Sequence, residues 1–399
     1  MPWKLKNARK QNLNVQAVKA ELFNSLSAIP KIAIALSGGG DSMALLRLLL
    51  EERDPASIIA LTVDHHLRET SAAETIQVAA WCKHLGVYHV ALNWQHEKIT
   101  SGIQAKARKA RYDLMTAWCS ENQVPVLLTA HTMDDQAETV AMRQSRTTSP
   151  NSLSGIWPET QWNGIRIVRP LLQHQRHDLR IYLKSIGQLW IEDPSNTDER
   201  FERIRIRNLR PDHKLAGVAT TSQEQMRVAE VQAKRWCNEH LKFDALGIAT
   251  LARVEFGPLS DLAKDSIIQK LCLNSTELAE RQRLCEWIAQ METGRRTLGG
   301  MIFSLRKKTI VVAREPKRIS PKPTNLAANT PIIWDQRFRI TSEITSTVMA
   351  AIYVKPLLKN NNFSALAQEG LPVVMVNDKI LAVPLTLIHP AIKFEISSK

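Results

Sequence analysis

The clearest sign of the fold is the sequence Ile32-Ala-Ile-Ala-Leu-Ser-Gly-Gly-Gly-Asp-Ser42, which continues into Met43 to Leu50. Its first five residues form the short apolar run of a buried strand, and Met43 begins the apolar pattern of a helix. The three glycines between them let the backbone bend tightly and approach a ligand closely. Because Ser42 and the start of the helix offer hydrogen-bond donors and a positive dipole, the turn is typical of a phosphate-binding loop.

Two common nucleotide motifs do not match this loop. A Walker loop requires a Gly-Lys-Ser/Thr ending, and Met43 occupies the third glycine position of the dinucleotide fingerprint. The loop instead resembles the Ser-Gly-Gly-x-Asp-Ser signature of the ATP pyrophosphatases, which hold the β,γ-pyrophosphate and leave AMP on the substrate. An ordinary strand-to-helix turn is the alternative. The resemblance implies that the following residues bind ATP: Ser37, Gly38, Gly39, Gly40, Asp41 and Ser42.

Around the loop, the sequence from about residue 30 to 130 alternates short apolar runs with longer helical patterns. This βαβα rhythm predicts a doubly wound α/β fold with a mostly parallel sheet and helices on both faces. Further strands are expected at Tyr88 to Leu92 and at Val124 to Thr129. We therefore assign a pyrophosphate-loop (PP-loop) catalytic domain to residues 1–215.

The sequence beyond this domain changes character. Charged, helix-forming and nearly Gly-free sequence from Glu224 to about Gln290 predicts a helical unit. Short strands are expected after it, and a Pro-rich linker precedes strand-like runs at Pro372 to Val376 and Ile380 to Pro384. We predict a mainly helical accessory domain over 216–320 and a small, strand-rich C-terminal α+β segment over 321–399.

A second polar motif runs from Ala130 to Thr139, after a predicted strand and at the start of a helix. His131, Asp135 and Glu138 then share one helix face at the carboxyl edge of the sheet, where open α/β folds bind ligands. Carboxylates there can hold Mg²⁺ beside ATP phosphates, or orient and deprotonate an amine. Acidic residues also cap helices well, so a purely structural interpretation of this segment stays open.

Other candidate residues surround the same cleft. Asp64 and His65 end a strand at a position where adenosine contacts arise. The sequence is equally consistent with His65 and His66 as a solvent-exposed pair. Arg108 and Arg111 lie one turn apart on a predicted helix, facing either phosphate or solvent. A basic stripe with helical spacing follows and suits phosphodiester contacts; it consists of Arg200, Arg203, Arg207 and Arg210.

The composition favours a polyanionic partner. Lys and Arg number 53 against 39 acidic residues, which gives a formal net charge of +14. RNA, DNA, an anionic membrane surface, or solubility alone would each account for this charge. The five cysteines are widely spaced and form no Cys-x-x-Cys pair, as expected for reduced thiols. No apolar run approaches the length of a membrane span, so we expect a cytoplasmic protein that does not enter a membrane.

Taken together, these segments resemble the tRNA(Ile)-lysidine synthetase family over about residues 30–212. The resemblance implies an adenine nucleotide alpha hydrolase-like fold, and the strings around Asp135 and Asn196 are specific to the family. Weaker matches follow at Thr297 to Gly300 with Arg314-Glu315, and at Trp334 to Phe338. The main matches are Leu36 to Ser42, Val63 to Arg68, Ala105 to Tyr112, Ala130 to Thr139, Arg169 to Leu172 and Glu192 to Asn196.

The family resemblance implies a reaction in which ATP adenylates the C2 oxygen of the first anticodon cytidine of a CAU-bearing tRNA(Ile), and free L-lysine displaces AMP. It implies ATP and Mg²⁺ as cofactors, with Asp41, Asp134 and Asp135 at the metal, and a catalytic set of Asp41, Asp135, Glu138, His131 and Arg111. Arg108 and the basic stripe would bind tRNA. The oligomeric state is left open, a homodimer included.

The sequence differs from the family pattern at two places, and three other functions compete with this interpretation. Gln104 stands where the family usually has Glu, and Gln144 to Ser154 replaces an expected Gly-rich stretch. A PP-loop tRNA thiolase would need cysteines near the loop. A small-molecule synthetase would not explain the net charge. A non-catalytic RNA-binding protein with a PP-loop-derived fold is the rival outside the enzymes.

Overall fold

The computed structural model divides the chain into two compact units, Met1–Glu224 and Gln225–Lys399. Within them, the structure describes residues 26–64, 71–95, 103–146, 149–192, 202–243, 248–272, 274, 276–315, 324–334, 338–343, 346–350, 372–376, 379–382 and 392–396.

The first unit alternates strands and helices in the predicted rhythm. In chain order its elements are β1 (Ile32–Ala35), α1 (Gly40–Leu50), β2 (Ile58–Asp64), α2 (Ser71–His84), β3 (Tyr88–Asn93), α3 (Ile103–Glu121), β4 (Val126–Leu128), α4 (Met133–Gln144), α5 (Pro150–Leu153), β5 (Glu159–Trp162), β6 (Ile165–Val168), α6 (Arg176–Ser185), α7 (Glu202–Asn208) and α8 (Lys214–His240), the last of which continues into the second unit.

These strands form one six-stranded sheet in the order β3-β2-β1-β4-β6-β5. Every neighbouring pair is parallel except β5–β6, which is antiparallel. The chain moves outward from β1 to β3 and then returns to place β4 on the other side of β1. The predicted doubly wound, mostly parallel α/β fold is confirmed. Because the strand order reverses between β1 and β4, their carboxyl ends mark the place where such sheets bind ligands.

The central strand β1 is buried on both faces, which explains its unbroken apolar sequence. Ile32 and Ile34 enter a core shared with Met43 and Leu45 of α1 and Leu179 of α6. Ala33, on the opposite face, belongs to a second core that includes Met115 and Cys119 of α3. Helices therefore cover both sides of the sheet and hold the loop after β1 at its edge.

The second unit contains an antiparallel sheet in the order β7-β8-β11-β10-β9, followed by sheets β12-β15-β16-β17 and β13-β14-β18. Its elements are β7 (Leu241–Phe243), β8 (Ala249–Ala252), α9 (Arg253–Phe256), α10 (Asp261–Leu271), α11 (Leu278–Gln290), β9 (Gly294–Leu298), β10 (Met301–Leu305), β11 (Thr309–Arg314), β12 (Thr324–Leu326), β13 (Ile332–Trp334), β14 (Phe338–Ser342), β15 (Ser346–Ala350), β16 (Pro372–Val376), β17 (Lys379–Ala382) and β18 (Ile392–Ile396).

Strands β7 and β8 lie inside the stretch for which the sequence predicted helices alone. They are short, and β8 pairs with β11, about sixty positions further along the chain, so no local pattern identifies it. The strands expected after Gln290 are present as β9, β10 and β11. The domain limits at residues 215 and 320 remain predictions. Among the described helices, none has both the length and the hydropathy needed to cross a bilayer.

Candidate active site

The loop after β1 requires glycine at its first bend. Gly38 has a φ of +80°, in the left-handed region that side chains disfavour. A Cβ there would lie 2.6 Å from Val78 Cγ2 and 2.7 Å from Ile191 Cδ1. The Gly38 carbonyl accepts a hydrogen bond of 2.9 Å from the backbone N–H of Ile191. The chain after α6 therefore fixes this bend from outside the loop.

The two serines of the loop brace it internally. Ser42 Oγ donates to the Gly39 carbonyl at 2.9 Å and accepts from the backbone N–H of Ser37 at 3.3 Å. The hydroxyls of Ser37 and Ser42 lie 3.2 Å apart. Helix α1 begins at Gly40, so its N-terminal turn and these hydroxyls lie in one preformed loop. Such a helix start is suited to a phosphate group.

The second motif begins α4 with a reciprocal cap. Thr132 is the N-cap, and Asp135 accepts hydrogen bonds from the Thr132 N–H at 2.8 Å and from its hydroxyl at 3.0 Å, both at Oδ2. Asp135 Oδ2 therefore takes part in the helix cap, as the structural interpretation of this segment predicted. Its other oxygen, Oδ1, has a different environment, so the same residue also belongs to a charged cluster.

Three arginines surround the carboxylates of α4. Asp135 Oδ1 accepts from Arg176 Nη2 and from Arg203 Nη2, each at 2.9 Å. Glu138 accepts from Arg203 Nε at 2.8 Å through Oε2 and from Arg207 Nε at 2.7 Å through Oε1. Arg176 Nη1 lies 3.4 Å from Glu138 Oε1. The residue Glu138 is 1% exposed, so its charge is compensated by neighbouring side chains rather than by solvent.

Arg176 also reaches the phosphate loop. Its Nε donates to Asp41 Oδ2 at 3.0 Å, so one guanidinium contacts Asp41, Asp135 and Glu138. Burial raises the pKa of Asp41 above its ordinary value, although Arg176 acts in the opposite direction. Burial also disfavours ionised Asp135, but Arg176 and Arg203 outweigh it and lower the pKa of that carboxyl. The cluster thus contains three carboxyl groups and three guanidinium groups: Asp41, Asp135 and Glu138 with Arg176, Arg203 and Arg207.

The predicted metal ligands do not form a compact set. Asp134 Oδ2 accepts from the backbone N–H of Arg176 at 2.8 Å, and its Oδ1 lies 3.5 Å from His213 Nε2. Among the described residues, no group of three or more His, Cys, Asp or Glu side chains is arranged to hold a metal ion. Asp41 Oδ1 is buried without a hydrogen-bond partner in this part of the chain. That oxygen fits a single cation contact.

His131 is an uncharged member of the site. Its Nδ1 is hydrogen-bonded to Thr129 Oγ1 at 3.0 Å. Burial, together with the charges of Arg169 and Arg108, lowers the pKa of His131 to about 3, although Asp135 opposes the shift. The imidazole is therefore neutral at physiological pH, and it acts through hydrogen bonds rather than through a positive charge.

The predicted arginines of α3 are both exposed residues. The Arg108 guanidinium lies 5.2 Å from the centre of the Tyr112 ring, where stacking orients it. Arg111 follows one turn later on the same helix. Arg108 is close enough to His131 to influence its titration, so this end of α3 flanks the site.

The remaining predicted residues have varied placements. Asp64 is buried at the end of β2 and accepts a 2.8 Å hydrogen bond from Ser71 Oγ. His65, Arg200 and the side chain of Gln104 lie outside the described residues. Within the predicted basic stripe, Arg203 and Arg207 contact the carboxylate cluster, whereas Arg210 is exposed beyond α7 with a φ of +49°.

Arg176, the side chain that joins the two motifs, was not among the residues predicted from the sequence. The matched string Arg169 to Leu172 stops four residues before it, and Arg176 then begins α6. Two histidines and a glutamine surround it without a distinctive spacing. Its position at the start of a helix, directly after a recognisable string, is the signal that could have identified it.

The chain is similar to a family model and to several named relatives. A family model described as a PP-loop domain matches residues 11–212. The tRNA(Ile)-lysidine synthase of Orientia tsutsugamushi is 28% identical, over 91% of this chain and 91% of its own. That of Wolbachia pipientis wMel is 31% identical, over 89% of this chain and 88% of its own.

Among solved structures, the U34-tRNA thiolase NcsA from Methanococcus maripaludis matches with a TM-score of 0.45 and 14% identity. The match covers 53% of this chain and 78% of the thiolase.

Proposed function

The chain belongs to the tRNA(Ile)-lysidine synthase family, and on that basis we propose that it uses ATP to ligate L-lysine to the first anticodon cytidine of a CAU-bearing tRNA(Ile). In the first step the C2 oxygen of the cytidine forms a bond to the α-phosphorus of ATP, and pyrophosphate leaves. In the second step the lysine amine forms a bond to C2, the C2–oxygen bond breaks, and AMP leaves with that oxygen. The amine loses a proton, and the product is lysidine.

The observation that carries this proposal is the contact of Arg176 with both Asp41 and the pair Asp135 and Glu138. Asp41 belongs to the loop that would hold ATP, and the pair lies on α4 at the adjacent strand end. A site that adenylates a base and then presents an amine needs these two functions side by side. The three carboxylates converge where a parallel sheet binds its ligands.

We assign the following roles to individual side chains. Ser37 to Ser42 would hold the phosphates of ATP, Arg111 would face the charge that develops on them, and Arg108 would contact tRNA. Asp135 and Glu138 would orient the lysine amine through their negative charge. His131, being neutral, would contribute a hydrogen bond.

The structure favours one of the proposed metal ligands. Asp41 would hold Mg²⁺ through its unpartnered oxygen, in company with the ATP phosphates. Asp134 and Asp135, also predicted as ligands, have their oxygens engaged by Arg176, His213, Thr132 and Arg203. When bound, the ion would neutralise phosphate charge during adenylation.

The cysteines of this chain argue against the thiolase alternative. Cys82 and Cys119 are buried in the cores of the first unit, and burial raises the pKa of each thiol to about 12. The other three, Cys237, Cys272 and Cys285, belong to the second unit. A sulfur carrier or cluster ligand needs a reactive thiolate, and neither cysteine of the unit that contains the loop offers one.

The proposed function is tested by incorporation of radiolabelled lysine into an unmodified CAU-anticodon tRNA(Ile) transcript with ATP and Mg²⁺. A matched transcript carries uridine in place of the first anticodon cytidine. We expect label only in the cytidine transcript and only with ATP. ATP-dependent release of AMP without incorporation of lysine would contradict the assigned nucleophile.

A further inference from the structure

Arg176 contacts carboxylates of both motifs in the proposed site. We infer that it is a positioning residue, which fixes Asp41 of the phosphate loop against Asp135 and Glu138 so that adenylation and lysine attack share one geometry. The inference rests on the proposed function. It adds a residue that links the two chemical steps to each other.

The first support is the division of its contacts. Nε contacts Asp41 at 3.0 Å, Nη2 contacts Asp135 at 2.9 Å, and Nη1 lies 3.4 Å from Glu138. Each nitrogen of the guanidinium thus serves a different carboxylate. A guanidinium is planar and its three nitrogens keep fixed separations, so it sets the distances among the groups it binds. A flexible ammonium group has no comparable fork.

The second support is the way in which Arg176 itself is held. It is the first residue of α6, and Leu179 and Leu183 anchor that helix in the core shared with α1. Its backbone N–H donates to Asp134 at 2.8 Å, which ties the start of α6 to the first turn of α4. The backbone is therefore fixed to the helix of each motif, and its side chain is 16% exposed.

The third support is electrostatic. Three carboxylates in one partly buried cluster repel one another, so their close approach needs cations among them. Arg203 and Arg207 reach Asp135 and Glu138 from α7. Arg176 contacts Asp41 as well, so its charge offsets the repulsion between the phosphate loop and the carboxylates of α4.

The experiment compares Arg176→Gln and Arg176→Lys with the wild-type chain, and uses Lys184→Gln as the matched control. Lys184 is an exposed cation in the last turn of the same helix. Two products are measured in each reaction: AMP released, and lysine incorporated into the CAU transcript. The ratio of the two is informative because a general loss of folded protein lowers both equally, whereas loss of positioning separates them.

We expect Arg176→Gln to lower the rate of lysine incorporation by about a hundredfold, the effect of a misplaced reacting group. We also expect the AMP-to-lysine ratio to rise, as adenylated tRNA is hydrolysed before lysine attacks. Arg176→Lys keeps the charge but lacks the planar three-nitrogen group, so it should not restore the ratio.

Two results would overturn different claims. An unchanged AMP-to-lysine ratio in both variants, with an active wild type, would overturn the positioning role. A wild-type chain that incorporates no lysine would overturn the proposed function, and with it the premise of this inference. Circular dichroism at the assay temperature checks that each variant is folded. If Arg176→Gln is unfolded, the ratio in Arg176→Lys decides the question alone.

Discussion

Arg207 Nε lies 2.7 Å from Glu138 Oε1, so a buried acid proposed to receive a cationic substrate already has a cation in contact. The lysine amine must compete with this guanidinium. We expect Arg207→Gln to lower the KM for lysine by about threefold, or about 0.7 kcal/mol, because one competing cation is lost while Arg203 stays in contact with Glu138. The measurement is lysine incorporation at saturating ATP and tRNA.

The control for this variant is Arg205→Gln, which removes an exposed arginine from the same helix. Its KM for lysine should match that of the wild type. A higher KM for lysine in Arg207→Gln would show that this arginine assists the amine instead of competing with it.

The lowered pKa of His131 predicts that the free energy of unfolding depends on pH. It lies near 3 in the folded chain, below the ordinary value of 6.5, so the unfolded chain binds more protons between these limits. Folding stability linked to His131 is therefore present above about pH 6.5 and declines as the pH falls towards 3. At pH 5 the loss should reach about 1 to 2 kcal/mol relative to pH 7.

Replacement by a residue that does not titrate tests this linkage. Denaturant unfolding of His131→Gln should show a smaller loss of stability between pH 7 and pH 5 than the wild type. His84→Gln, at an exposed position, should show the wild-type loss. The same loss in all three chains would contradict the assignment of a buried neutral imidazole.

The sheet and both motifs were predictable because their signals are local. The apolar run of β1, the glycines after it and the spacing of His131, Asp135 and Glu138 each lie within a few turns of chain. The bonds that complete the site are not local. Arg176 and Asp41 are 135 positions apart, and Arg203 and Asp135 are 68 apart. A helical spacing of arginines predicted a basic face, but it could not show which acids that face contacts.

A buried ion pair should contribute to the stability of the second unit. Arg281 Nε donates to Asp265 Oδ1 at 2.6 Å, and both residues are buried. Removal of one partner leaves an uncompensated charge, which costs about 3 to 5 kcal/mol. We therefore expect Asp265→Ala to lower the free energy of unfolding by that amount in denaturant titrations. Arg283→Gln, on the exposed side of the same helix as Arg281, should cost little. A loss below 1 kcal/mol in Asp265→Ala would contradict the burial of this pair.

Gly38 offers the sharpest test of the phosphate loop, because Gly187 provides a control with the same backbone strain. The φ of Gly38 is +80° and that of Gly187 is +68°, so alanine meets similar left-handed strain at both positions, about 1 to 2 kcal/mol. A Cβ at Gly187 has no atom within 4 Å, whereas one at Gly38 would meet Val78 and Ile191 at under 3 Å.

Gly38→Ala must therefore shift the loop or the Val78 and Ile191 side chains packed against it, and a shift of the loop moves Ser37 and Ser42. We expect it to weaken ATP binding at least tenfold and to remove most AMP formation, while Gly187→Ala loses stability alone. Equilibrium binding of ATP and thermal melting of both variants separate the two effects. Equal ATP affinities in the two variants would mean that the loop tolerates a side chain at its first bend, and that the close packing of Ile191 against Gly38 does not govern nucleotide binding.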